Sequence, residues 1–114
     1  MDEKRSIKRR HLIFYLRVFD KKSNELLGYL VDITAEGMML ISEKPIETSK
    51  HYELKMDLPS EIGDNKHLIF HADSLWSRKD VNPDFWDTGF KFLDLSAENQ
   101  DLISNLISFF GFQN

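Results

Sequence analysis

Six short runs of branched and aromatic residues follow one another along this chain, and each ends at a polar, glycine-containing or proline-containing turn. Such residues are enriched in strands because they pack well on the pleated surface of a sheet. The pattern therefore predicts six β-strands, at 12–19, 26–34, 38–42, 51–58, 67–77 and 86–93. We expect the fifth of these to be bulged near Ala72 and Asp73.

The periodicity changes after Leu95. Ser96 is a suitable N-cap, and apolar residues then recur at helical spacing up to Gly111. This spacing predicts one amphipathic helix over residues 97–110, whose apolar stripe must cover another surface. Short strands at regular spacing, followed by one helix, are typical of a small antiparallel barrel with the helix packed across one opening. We therefore predict an all-β fold with a C-terminal helix, built on a six-stranded antiparallel β-barrel.

The 114 residues are enough for a single domain with one modest core. We divide the chain into a flexible basic N-terminal arm at 1–11, a barrel at 12–95 and a closing helix at 96–114. The absence of cysteine excludes disulfides and thiolate metal sites. Because no apolar run approaches the ~18 residues that a membrane span needs, we expect a cytoplasmic protein.

Charge is spread unevenly along the chain. The first ten residues contain five basic and two acidic side chains, although the net charge of the chain is −4. A basic arm on an acidic body suits a small anion better than duplex DNA, which usually requires a basic face on the folded domain. We therefore predict no nucleic-acid partner. Taken alone, the arm is equally well read as an ordinary solvated terminus.

Residues 31–40, VDITAEGMML, are the most informative stretch. In a strand, Asp32 and Thr34 project from one face and Ile33 from the other. If Val31 and Ile33 face the core, Asp32 and Thr34 stand on the outer wall beside a turn at Gly37, where we expect a positive φ and free backbone amides. Such a site can accept hydrogen bonds from the N1–H and N2–H₂ groups of a guanine edge. A hairpin turn with a solvated polar side is the alternative.

Three arginines, Arg5, Arg9 and Arg10, precede the first predicted strand. Guanidinium groups bind phosphate bidentately and stack on planar bases, so arginine suits a nucleotide diester better than lysine does. With the stretch above, these residues resemble the two motifs of the PilZ domain family. Residues 5–9 match RxxxR, and 32–37 read DxTxxG where the family has [D/N]xSxxG. The segment GFKFLDLS at 89–96 and the closing helix also look like the end of a PilZ domain.

The resemblance implies a PilZ-type barrel that binds the bacterial second messenger cyclic di-GMP, usually as an intercalated dimer. It implies that Arg5 and Arg9 hold phosphate and guanine, with Arg10 able to replace either, and that Asp32, Thr34 and Gly37 hold guanine on the outer surface. The arginine register stays open, because many members read RRxxR and a match that starts at Arg9 would put Ile13 at the second position. The arm would close over the ligand and change the shape of the protein.

As a function, the resemblance implies a sensor or adaptor that acts through a protein partner in motility, secretion or biofilm control. Since some PilZ domains bind no nucleotide, the alternative is a degenerate domain that serves only in protein contacts. No paired nucleophile and base are visible, and the four histidines show no metal spacing. We therefore expect no enzyme, no metal and no cofactor apart from the ligand. Trp76, Phe85 and Trp86, which lie near one predicted loop, are predicted to belong to the barrel rim and core, and a stacking platform that touches a partner is the alternative.

Overall fold

The computed structural model describes residues 16–64 and 66–110, and it contains six strands and one α-helix in that part of the chain. The strands are β1 (Arg17–Asp20), β2 (Glu25–Ile33), β3 (Gly37–Ser42), β4 (Lys50–Asp57), β5 (His67–Lys79) and β6 (Trp86–Leu93). The helix α1 covers Ala97–Phe110, and a short 3₁₀ helix at Ser60–Ile62 lies in the segment predicted as a loop between β4 and β5.

The strands form a closed barrel in the order β1-β2-β3-β6-β5-β4, with every neighbouring pair antiparallel. Closure between β1 and β4 leaves no strand edge unpaired, which removes the usual site of edge-to-edge aggregation. The predicted six-stranded antiparallel barrel with a C-terminal helix is confirmed. The bulge predicted near Ala72 is displaced, because the register of β5 against β6 shifts between Ser74 and Trp76.

The core lies inside the barrel and continues under α1. Alternate residues of the strands point inward, and Leu102, Ile103 and Leu106 of the helix join the same cluster of buried side chains. Ser96 caps the helix as predicted, since its Oγ accepts a hydrogen bond from the amide of Asn99 at 3.1 Å. The Asn99 side chain in turn donates to the carbonyl of Ile69 on β5 at 2.8 Å, which ties the start of the helix to the barrel.

A bulge in β2 determines which side chains reach the outer wall at its end. Leu30 pairs with Leu40 and Asp32 pairs with Met39, so Val31 is an extra residue with no partner of its own in the β2–β3 register. Because side chains alternate with a period of two, one extra residue inverts the faces of all that follow. Leu30 and Val31 are both buried, and the next residue, Asp32, is consequently exposed while Ile33 is buried.

Candidate ligand-binding site

The turn between β2 and β3 is held by the Thr34 side chain. Its Oγ1 accepts hydrogen bonds from the amides of Glu36 (3.2 Å) and Gly37 (3.3 Å), and its own amide donates to the Gly37 carbonyl at 2.8 Å. Contrary to the prediction of free amides, the amides of Glu36 and Gly37 are therefore already engaged by the hydroxyl oxygen. The hydroxyl hydrogen of Thr34 remains available for donation to a ligand.

Asp32 stands on the outer wall, as the alternation predicts. Its Oδ1 accepts a hydrogen bond from the amide of Ile33 at 2.9 Å, and its Oδ2 has no hydrogen-bond partner among the described residues. The bond to the backbone orients the carboxylate, so that an exposed acceptor oxygen is presented beside Thr34.

Gly37 is required for a reason different from the predicted one. In the described part of the chain, positive φ among the glycines occurs at Gly63 and not at Gly37, so the expectation of a positive φ was wrong. A Cβ atom at position 37 would instead collide with the backbone oxygen of Phe90. Gly37 is thus the residue that lets β3 and β6 approach closely at the edge of the site, where it pairs with Lys91.

These residues open onto a cavity of about 880 Å³ on the outside of the barrel. Its walls come from the β2–β3 turn, from β3, β5 and β6, and from the start of α1. The cavity therefore brings together all three barrel residues proposed from the sequence. The lining residues are Asp32, Ile33, Thr34, Ala35, Glu36, Gly37, Met38, Met39, Leu75, Trp76, Gly89, Phe90, Lys91, Phe92, Leu95 and Gln100.

Trp76 also lines the cavity, so for this residue the structure favours the alternative of a partly exposed aromatic over a place in the core. The bulge at Leu75 leaves both Leu75 and Trp76 on the outside, and 38% of Trp76 is exposed. Its indole lies against Gly89, where a Cβ would come within 2.5 Å of the ring, and the Arg78 guanidinium lies 4.7 Å from its centroid. The ring is thus packed against Gly89 and lies beside the Arg78 guanidinium, so a purine would have to displace Arg78 in order to stack on the indole. Trp76 pairs with Gly89 on the neighbouring strand, and this pairing identifies Trp76 as a residue of the outer wall. The pairing can be recognised only when the register of β5 against β6 is known.

The predicted arginines, Arg5, Arg9 and Arg10, lie outside the described residues, as does the whole of the predicted arm at 1–11. The point from which they extend is nevertheless defined. The Leu16 carbonyl accepts a hydrogen bond from the Leu30 amide at 2.9 Å, and β1 runs antiparallel to β2. The chain before Leu16 therefore starts from the end of the barrel at which β2 reaches Asp32.

Two histidines that are far apart in the sequence lie close together on neighbouring strands. His51 on β4 and His71 on β5 approach each other, with 2.9 Å between His51 Nε2 and His71 Nδ1, and His51 Nδ1 lies 3.2 Å from Asp73 Oδ1. Within residues 16–64 and 66–110, no group of three histidine or acidic side chains could hold a metal ion. The helix α1 is too short to cross a membrane.

Solved structures with the same fold are PilZ proteins and their relatives. The PilZ domain of YcgR from Escherichia coli, solved with cyclic di-GMP, matches with a TM-score of 0.64 at 16% identity, over 85% of this chain and 81% of that one. MrkH from K. pneumonia in its apo state matches with a TM-score of 0.65 at 13% identity, over 84% of this chain and 45% of that one. The inhibitor of motility MotI from Bacillus subtilis matches with a TM-score of 0.58 at 12% identity, over 78% of this chain and 42% of that one.

At such identities these likenesses show the fold. No match to the chain is found among curated proteins. The family model described as PilZ domain, however, matches residues 3–109, which include both sequence motifs and the helix. The chain therefore belongs to the PilZ domain family.

Proposed function

We propose that this protein is a cytoplasmic sensor of cyclic di-GMP, which signals by changing its shape towards a protein partner and has no catalytic role. One observation carries the proposal. Asp32, Thr34 and Trp76 share the wall of one open cavity, at the end of the barrel where Leu16, the first described residue, lies. The YcgR PilZ domain, which has the same fold, was solved with this nucleotide, and this supports the choice of ligand.

The chemistry of the wall suits guanine better than adenine. The outward Oδ2 of Asp32 can accept from the N1–H and N2–H₂ groups of guanine, whereas adenine presents an acceptor at N1 that the carboxylate would repel. The Thr34 hydroxyl can donate to a carbonyl or phosphate oxygen. The partly exposed indole of Trp76 offers a surface on which the purine ring can stack once the Arg78 guanidinium is displaced from it.

The arm would supply guanidinium groups, because no arginine is among the described residues that line the cavity. A cyclic dinucleotide carries two phosphodiester groups, and Arg5, Arg9 and Arg10 are the guanidinium groups proposed to bind them. Closure of the arm over the ligand would cost ordering entropy and lower the net affinity. It would also create a new surface for a partner in motility, secretion or biofilm control, because a segment that orders on binding changes the shape presented at that end.

Isothermal titration with cyclic di-GMP tests this function. We expect the wild type to release binding heat and Arg9→Ala to bind about tenfold more weakly, the loss of one charge-assisted phosphate contact. The effect should not be larger, because Arg10 can partly replace Arg9. Lys22→Ala, in the exposed turn between β1 and β2 at the other end of β2, is the control and should bind like the wild type.

The outcomes separate the two functions. An absence of heat with the wild type would reject nucleotide sensing and leave the nucleotide-independent adaptor. Equal affinities of the wild type and Arg9→Ala would reject the role of Arg9 while keeping the function, and the same titration with Arg5→Ala and Arg10→Ala would then identify the arginine pair.

Trp76 should report on binding through its fluorescence. If a guanine stacks on the indole, Trp76→Ala should weaken binding about tenfold, in the range found for a base stacked on an aromatic side chain. The intrinsic fluorescence of the wild type should change on addition of cyclic di-GMP. The same change is expected in Trp86→Phe, which retains Trp76, and should be lost in Trp76→Phe. A signal that follows Trp86 instead would contradict stacking on Trp76.

A further inference from the structure

Lys91 stands on the barrel wall beside the β2–β3 turn. It is exposed on β6 between two buried phenylalanines, and the register places it across from Gly37 on β3 and from Asp73 on β5. Its side chain lines the cavity that also contains Asp32 and Thr34. Lys91 belongs to neither of the two sequence motifs, and its position follows from the pairing of β6 with both of its neighbours.

No described residue neutralises the Lys91 ammonium group. The carboxylate of Asp73, its neighbour on β5, is turned towards β4, where Oδ1 lies 3.2 Å from His51 Nδ1. The Lys91 side chain makes no ion pair, hydrogen bond or ring contact with any residue that the structure describes. Lys50, by contrast, lies 3.5 Å from the carboxylate of Glu47.

The charges that line the cavity indicate where an anionic ligand group could bind. Two carboxylates, those of Asp32 and Glu36, line the cavity, and Lys91 is the one cationic side chain among its described lining residues. A phosphodiester placed beside the two carboxylates would be repelled, whereas a phosphodiester beside Lys91 would be attracted. The wall is therefore divided into a region that accepts hydrogen-bond donors and a region that attracts an anion.

We propose that Lys91 contacts a phosphate of the bound nucleotide directly from the barrel wall, in addition to the arginines of the arm. This proposal rests on the proposed function, since it assigns a role at the same site. Lys91 supplies a point charge that the folded barrel wall holds beside the cavity. It orients the ligand so that a phosphate lies towards β6 and a guanine edge lies towards Asp32.

Titrations of cyclic di-GMP into the wild type, Lys91→Gln, Lys91→Arg and Lys22→Gln test this proposal. At low salt, Lys91→Gln should bind about tenfold more weakly, as expected for one charge-assisted contact. Lys91→Arg should stay within about threefold of the wild type, because it keeps the charge. Lys22→Gln removes the same charge far from the cavity and should bind like the wild type. Raising the salt to ~0.5 M should shrink the difference between the wild type and Lys91→Gln, because screening weakens this contact.

The possible results can be told apart. Equal affinity of Lys91→Gln and the wild type, or a loss in Lys91→Arg as large as that in Lys91→Gln, would overturn the role of the Lys91 charge while the sensing function stands. A wild type that binds no cyclic di-GMP would instead reject the sensing function itself. Because Lys91 is exposed, all variants should have the melting temperature of the wild type, which thermal denaturation checks.

Discussion

Replacing Asp32 by alanine should weaken the binding of cyclic di-GMP by about a hundredfold and leave the barrel folded. The variant loses the carboxylate that we propose to accept hydrogen bonds from the guanine edge, and those donors would lose a charged acceptor. Hydrogen bonds to a charged group contribute about 1.5–3 kcal/mol each, and 1.4 kcal/mol corresponds to a factor of ten in affinity. Asp32 is exposed, so the free energy of unfolding should change by less than about 1 kcal/mol.

Glu36→Ala is the matched control for this prediction. Glu36 is an exposed carboxylate in the turn that follows β2, and it lines the same cavity as Asp32. If Asp32 acts as a hydrogen-bond acceptor, Glu36→Ala should bind as tightly as the wild type or slightly more tightly, because it removes a charge that repels phosphate. Cyclic di-AMP, titrated into the wild type, should bind far more weakly than cyclic di-GMP. Comparable losses in Asp32→Ala and Glu36→Ala would show that the position of the acceptor does not matter.

Replacing Gly37 by alanine should lower the free energy of unfolding by about 3 kcal/mol, the upper range for forcing extra atoms into a packed site. The added Cβ would collide with the backbone oxygen of Phe90. Neither strand can retreat without breaking the ladder in which Gly37 pairs with Lys91 and Met38 with Phe90. We expect a fall in melting temperature on the order of 10 °C, measured by circular dichroism.

Gly37→Asn separates the two explanations for this glycine. Asparagine tolerates positive φ better than alanine does, so it would be the milder substitution if the backbone conformation were the reason. Because the structure attributes the requirement to the close approach of β6, we expect Gly37→Asn to be at least as destabilising as Gly37→Ala. A variant Gly37→Asn with nearly the stability of the wild type would contradict the close approach as the cause.

Several features follow from neighbouring residues in the sequence and were predicted from it. The helix covers Ala97–Phe110, as the spacing of its apolar residues indicates, and Ser96 caps it. Five strands were located to within two residues by their branched and aromatic composition, whereas β1 begins at Arg17 and residues 12–15 of the first predicted strand lie outside the described part of the chain. Their alternation also predicted that Asp32 faces outward. These properties depend on local periodicity and on side chains that bond to the nearby backbone, so a single stretch of sequence contains the information.

What the sequence by itself determined is therefore the type and order of the elements, together with the polar motif at the end of β2. Only the tertiary structure decided how that motif is completed: the bulge that exposes Trp76, the contact that requires Gly37, and the place of Lys91 between β3 and β5. Each of these depends on which residue lies across from it on another strand. The side-chain period along one strand does not specify that partner, because register is set by packing between residues far apart in the chain.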